Sequence, residues 1–172
     1  NETNRLVSGW QVEIDERFAE TLKTNATRHG YFGDGVSIVC DDIRNYSPSE
    51  PAGIDFIIGG PPCQTFSAAG RRAAGVLGTS EQRGTLFQEY VRILEVLQPK
   101  GFLFENVYGL TGAENGEALR KVRQAFSDAG YRIAYRILDS ADYGVPQHRE
   151  RLFLVGIRSG DYLFPRPTHG PD

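Results

Sequence analysis

Three short polar clusters in this sequence carry side chains equipped for covalent or acid–base chemistry. The first is GGPPCQTFS, Gly59 to Ser67. Paired glycines let another backbone or a ligand approach closely. Pro61 and Pro62 stiffen the chain just ahead of Cys63, so its sulfur is presented from a rigid mount. The second is ENV, Glu105 to Val107. A carboxylate at a strand end can cap a loop; beside Cys63 on a neighbouring strand, Glu105 becomes a candidate general acid facing the same cleft. The third is QHRER, Gln147 to Arg151. If the strand that follows starts early enough, Gln147, Arg149 and Arg151 share one face by two-residue alternation and form a binding row. The alternative is a solvated row of charge that blunts a sheet edge. Cys40, inside the apolar run VSIVC, reads instead as a small buried hydrophobe.

The elements that must position these clusters alternate. WQVEI at 10–14 reads as a strand, and the helix after it takes its apolar face from Phe18, Leu22 and Ala19, stopping at Gly30 and Gly33. VSIVC at 36–40 and IDFIIGG at 54–60 are strands, the second apolar enough to be buried on both faces of a parallel sheet. Residues 60–84 are rich in Gly, Arg and Ala without a period, which predicts a functional loop mobile around 68–82. A helix spans 85–98, with Leu86, Phe87, Tyr90, Ile93, Leu94 and Leu97 on one broad face. FLFENV at 102–107 is a strand and residues 117–130 an amphipathic helix; YRIAYRIL at 131–138 and RLFLVGIR at 151–158 are the last strands. This order predicts an α/β fold with a doubly wound, mostly parallel sheet. In such a sheet ligands sit beyond the carboxyl ends of the strands, where Glu13, Asp42, Pro61–Ser67 and Glu105 all fall.

Composition narrows the function classes. The chain has 172 residues, 40% of them hydrophobic and 24% charged, which suits one soluble domain. No apolar run is long enough to span a membrane. A formal net charge of −3 is not the footprint of a broadly basic nucleic-acid binder, so any such contact must be a local patch. Two cysteines, in no zinc-like spacing, predict neither a disulfide framework nor a metal site and suit a reducing cytoplasm. The sequence opens on Asn1, holds no methionine and closes on FPRPTHGPD, so it reads as an incomplete piece of a longer protein.

Taken together and in this order, PPCQTFS, ENV and QHRER resemble the nucleophile, acid and arginine motifs of the cytosine-5 DNA methyltransferase family. RGTLFQEYVRIL at 83–94 is similar to the helix between the first two motifs, and VEID at 12–15 and DDI at 41–43 to the cofactor-side motifs. The resemblance covers essentially the whole chain and implies the S-adenosylmethionine-dependent methyltransferase fold, with RLFLVGIR antiparallel to its neighbours. It implies double-stranded DNA as partner in a bacterial cytoplasm or nucleoid, with no metal. It also implies that the thiolate of Cys63 adds to C6 of a flipped-out cytosine, making C5 nucleophilic toward the methyl group of S-adenosylmethionine. Glu105 protonates or hydrogen-bonds N3 and the exocyclic amine, and Arg149 and Arg151 orient base and thiolate. Gln64, Ser67, Arg83 and Gln147 are then the DNA contacts. Glu13 suits the cofactor's ribose, Ile14 and Ile43 its adenine faces, Asp42 the adenine amino group, and Pro62 and Leu86 the methionine end. The family's first Gly-rich cofactor motif, its target-recognition region and its C-terminal segment have no counterpart in the sequence.

Three other readings stay open. A tRNA cytosine-5 methyltransferase shares this architecture, and a non-catalytic nucleic-acid-binding fragment would keep the fold without turnover. A cysteine hydrolase would need a histidine partner, and His29, His148 and His169 have no sequence context that ties them to Cys63.

Overall fold

The protein is described by a computed structural model for residues 6–29, 32, 35–48, 53–62 and 86–170. The chain divides into two compact units, Asn1–Ser49 and Glu50–Asp172.

The first unit is a strand–helix–strand element. β1 (Trp10–Glu13) pairs in parallel with β2 (Ser37–Cys40), with Glu13 opposite Cys40, and α1 (Glu16–His29) connects them. Asp15 starts the helix: its carboxylate accepts from the Arg17 amide at 2.9 Å, which satisfies one of the open N–H groups of the first turn. Ala19 is the buried residue of this helix at 1% exposure, whereas Phe18, expected to share that face, is 58% exposed. Phe18 lies about 100° around the helix from Ala19, and its ring carries the Arg17 guanidinium at 5.7 Å instead of packing on the strands. Cys40, expected to be buried, is exposed. It ends β2, past the part of the strand that carries apolar partners.

The second unit holds β3 (Phe56–Gly59), α2 (Leu86–Leu97), β4 (Gly101–Val107), α3 (Glu117–Asp128), β5 (Arg132–Asp139) and β6 (Glu150–Ile157). The sheet order is β3-β4-β6-β5. β3 and β4 are parallel, while β6 runs antiparallel to both β4 and β5, as the resemblance implies. The described strands thus form a four-stranded sheet made mixed by β6, the one antiparallel strand expected, and a two-stranded parallel pair, where a single sheet was expected.

Strand alternation separates the two faces of the larger sheet. Phe102 and Phe104 of β4 and Leu152 and Leu154 of β6 are at most 1% exposed and point to one face. Leu94 and Tyr90 of α2 and Val122 and Phe126 of α3 are buried with them. The Phe102 and Phe126 rings lie 4.6 Å apart, and Tyr90 meets Phe104 edge-on at 5.5 Å. Each such ring contributes roughly 1.5–3 kcal/mol through burial. Gly156 makes room for this stack, because a Cβ there would lie 2.1 Å from the Phe102 ring. The Tyr90 hydroxyl reaches the carbonyls of Ile57 at 3.2 Å and Leu103 at 3.0 Å, clamping β3 to β4; burial pushes its pKa far upward, so the phenol stays protonated. β3 is not buried on both faces as its composition suggests: Ile57 is 7% exposed, but Phe56 and Ile58 are 44% and 71% exposed. Among the described residues of this unit, the α2 and α3 side chains are buried on the face that Ile57 shares with Phe102.

Candidate active site at the carboxyl ends of the strands

The sheet topology gathers the polar clusters. Because β6 is antiparallel, its amino end lies beside the carboxyl ends of β4 and β5. QHRER therefore arrives next to ENV although the two are 40 residues apart. Along β4, Glu105 falls on the face opposite the aromatic core, opposite Phe153, while Arg151 pairs with Val107 on that same face. Arg151 Nε lies 3.1 Å from Glu105 Oε1, an ion pair with 24% and 34% of the two side chains exposed. Arg151 Nη1 donates to the Glu150 carbonyl at 2.8 Å.

Glu105 also touches the segment that leads to Cys63. A Cβ at Gly60 would come 2.9 Å from Glu105 Oε2, so glycine is what lets the carboxylate lie over this backbone. The next residue is tied down as well. Asn106, 4% exposed, donates from Nδ2 to the Pro61 carbonyl at 3.1 Å, and its Oδ1 accepts from the Val107 amide at 2.9 Å. The middle letter of ENV is thus a buried amide, bonded through both its nitrogen and its oxygen, that holds the chain two residues before Cys63. Sequence reasoning gave Asn106 no role; a polar residue at an inward position of an apolar strand was the available signal. Cys63, Gln64, Ser67 and Arg83, and the whole expected mobile loop at 68–82, lie outside the described residues.

The QHRER segment is placed differently from the alternating row the sequence suggests. β6 begins at Glu150, so Gln147 and Arg149 precede it and share no strand face with Arg151. What shapes this segment is Asp139, the last residue of β5. Its Oδ1 accepts from the amides of Ala141 (3.1 Å) and Arg149 (2.8 Å), and its Oδ2 pairs with His148 Nδ1 at 2.8 Å. Ser140 Oγ adds a bond to the Gln147 carbonyl at 2.8 Å. His148, followed by the amides of Arg149 and Ala141, holds the Asp139 carboxyl below the usual carboxylate range; reciprocally, Asp139 raises the His148 pKa. Val107, Tyr108 and Gly109 on one side and residues 147–151 on the other line an open cleft of about 450 Å³.

The cofactor-side residues lie in the first unit, at the carboxyl ends of β1 and β2. Glu13 accepts from the Asp15 amide at 2.9 Å, and its carbonyl accepts from the Asp41 amide at 3.1 Å, bringing the two strand ends together. Ile14, directly after β1, is 66% exposed. The Asp42 carboxylate is engaged by the Arg44 amide and guanidinium, which hold its pKa down. Ile43 is half-buried. In the second unit Pro62 is exposed, and Leu86, half-buried, opens α2. An exposed aliphatic side chain between acidic strand ends fits an adenosine, whose ring wants an apolar face and whose hydroxyls and amine donate to carboxylates. Among the described residues no group of three or more His, Cys, Asp or Glu could hold a metal ion, and no helix is long and apolar enough to cross a membrane.

The model of the C-5 cytosine-specific DNA methylases matches residues 2–169. The chain belongs to that family. Type II methyltransferase M.AquIA of Picosynechococcus is 39% identical over 170 residues, covering 93% of this chain and 67% of its own. M.FnuDI of Fusobacterium nucleatum is 43% identical over 165 residues, covering 93% of this chain and 45% of its own, and for M.Sau96I of Staphylococcus aureus the own-length share is 33%. The chain thus spans between one third and two thirds of these methylases. The S. pombe Dnmt2 methyltransferase, 22% identical, superposes with a TM-score of 0.61 over 88% of this chain and 44% of its own, a likeness of fold.

Proposed function

We propose that this chain is the catalytic part of an enzyme that methylates C5 of a flipped-out cytosine in double-stranded DNA through a covalent adduct with Cys63. The observation that carries the proposal is the placement of Glu105: paired with Arg151, packed over Gly60, three residues from the candidate nucleophile. A carboxylate held over the segment that leads to Cys63 is the acid this reading assigns.

The chemistry follows from what a cytosine lacks. Its C5 is too weak a nucleophile to take a methyl group unaided. Addition of the Cys63 thiolate to C6 forms the S–C6 bond and moves the ring π electrons onto C5, while Glu105 gives a proton or a hydrogen bond to N3. S-adenosylmethionine supplies the electrophilic methyl group when bound. Loss of the C5 proton to solvent then restores the C5–C6 double bond as the S–C6 bond breaks. Arg151 keeps the Glu105 carboxylate oriented, and Arg149 at the cleft mouth offers positive charge to a phosphate or to the activated ring. Glu13, Ile14, Asp42 and Ile43 would hold the adenosine part, and Pro62 and Leu86 the methionine part. Gln64, Ser67, Arg83 and Gln147 would contact DNA. Extrusion of the base costs on the order of a few kcal/mol, which contacts of this kind must offset. The type II methyltransferases among the relatives favour DNA over tRNA and a restriction–modification setting.

The test is product analysis with the full-length protein, labelled S-adenosylmethionine, duplex DNA and a tRNA transcript. Label in 5-methylcytosine of DNA supports the reading. Label confined to tRNA, or to N4-methylcytosine, overturns it.

A further inference from the structure

We propose that Asp139 is a positioning residue for this reaction: its carboxylate latches the far end of the β5–β6 connection and so fixes the backbone that presents Arg149 and Arg151 to the base. The proposal rests on the function inferred above. An aspartate at the head of a 3-10 turn ordinarily does one local thing, accepting from an amide two residues on. Asp139 does that with Ala141. Its bonds to the Arg149 amide and the His148 ring span ten and nine residues, which capping does not require. They close the connection into a loop whose two ends meet on one carboxylate. Asp139 and Glu150 are also ladder partners, so the latch lies in register with the start of β6.

Each bond has a traceable consequence. The Arg149 amide is held at 2.8 Å, so the Arg149 Cα has one position relative to the sheet while its guanidinium stays free to meet a ligand. Arg151, two residues on, leaves the same fixed backbone to reach Glu105 at 3.1 Å. His148 adds a second hold whose strength depends on its charge; Asp142 and Glu150 also favour its protonated form, and Arg149 and Arg151 line the same cleft. The latch therefore acts on Glu105 through Arg151, with no contact of its own to the reacting atoms.

Two substitutions separate this role from simple capping. Asp139→Asn keeps an oxygen that can accept from both amides. Asp139→Ser keeps a short oxygen able to cap the turn at Ala141 but too short to reach Arg149. In the full-length protein, adduct formation with a 5-fluorocytosine duplex and S-adenosylmethionine should slow at least about tenfold in Asp139→Ser and stay within about threefold in Asp139→Asn. Exchange of the Arg149 amide with solvent should accelerate in the serine variant alone. Normal rates in Asp139→Ser would reduce Asp139 to a cap and overturn the proposal, as would equal slowing in both variants. Should the unsubstituted protein form no adduct, the functional reading fails, and Arg149 amide exchange alone decides whether the latch exists.

Discussion

β6 carries arginines at both ends, and the two ends use them in opposite ways. Beyond its carboxyl end, Arg158 is consumed by the fold. Its Nε donates to the Pro99 carbonyl at 3.1 Å, its amide donates to Lys100 at 3.0 Å, and its guanidinium lies 4.8 Å from the Tyr131 ring centroid. Tyr131 completes the arrangement by donating to the same Pro99 carbonyl at 3.0 Å. Before the amino end, Arg149 is exposed, held only through its backbone, and its guanidinium has no acceptor among the described residues. Arg151 stands between these cases, sharing its donors between Glu105 and a carbonyl. QHRER sets Arg149 and Arg151 apart from Arg158, but the sequence does not say what any of the three side chains meets. The structure does: an arginine bonded into the fold stabilises, and an open one at a cleft is available to a ligand.

The comparison can be sharpened first at the carboxylate that Arg151 serves. Changing Glu105 to Gln should leave folding intact and lower turnover in the full-length enzyme by roughly 10²- to 10⁴-fold, the loss expected for a missing general acid. An effect confined to cofactor affinity would move the acid elsewhere. The arginines come next, as a double dissociation. Arg158→Ala should cost about 1–2 kcal/mol of stability, from a lost charged hydrogen bond and ring contact, with turnover unchanged. Arg149→Ala should keep stability within about 0.5 kcal/mol and reduce turnover about tenfold or more. Thermal midpoints set beside single-turnover rates check both, and swapped outcomes would break the distinction.

The smallest effect is the pH dependence of the Asp139–His148 pair. The folded-state pKa of His148 is raised, so its stabilising contribution is full below the unfolded value of about 6.5 and is lost as pH rises through the raised one. That of Asp139 is depressed, so its contribution is present above about 3.9 and is lost as pH falls through the lowered value. The difference in thermal midpoint between the unsubstituted protein and His148→Gln should therefore be largest between about pH 4 and pH 6.5 and shrink above. A difference that grows with pH would contradict the pair.

Much of this was legible in the sequence because the chemistry there is local. Every β-strand and α-helix among the described residues overlaps the segment the sequence assigns to it, whereas the 3-10 turns at 108–110, 113–116 and 140–143 carry no such signal. ENV and QHRER stand out because charged residues abut apolar runs, and the antiparallel course of β6 follows from the family resemblance. What the sequence could not reveal depends on partners far along the chain. The strand status of Gln147 and Arg149 was decided by Asp139, which captures the Arg149 amide before the ladder begins. Asn106 looked like a bystander until its amide met Pro61, 45 residues earlier. Ile58 and Phe18 are apolar yet exposed, since hydrophobicity alone does not say which face a neighbour covers.

The central claim is that Cys63 attacks the base, and a trapped intermediate tests it most directly. Fluorine at C5 cannot leave as a proton does, so a 5-fluorocytosine duplex incubated with the full-length enzyme and S-adenosylmethionine should halt after methyl transfer, with the S–C6 bond intact. Digestion and mass spectrometry should then find the modified nucleotide on the peptide containing Cys63, dependent on S-adenosylmethionine and absent in Cys63→Ser. An adduct on Cys40, or methylated product from Cys63→Ser at a near-normal rate, would contradict the account.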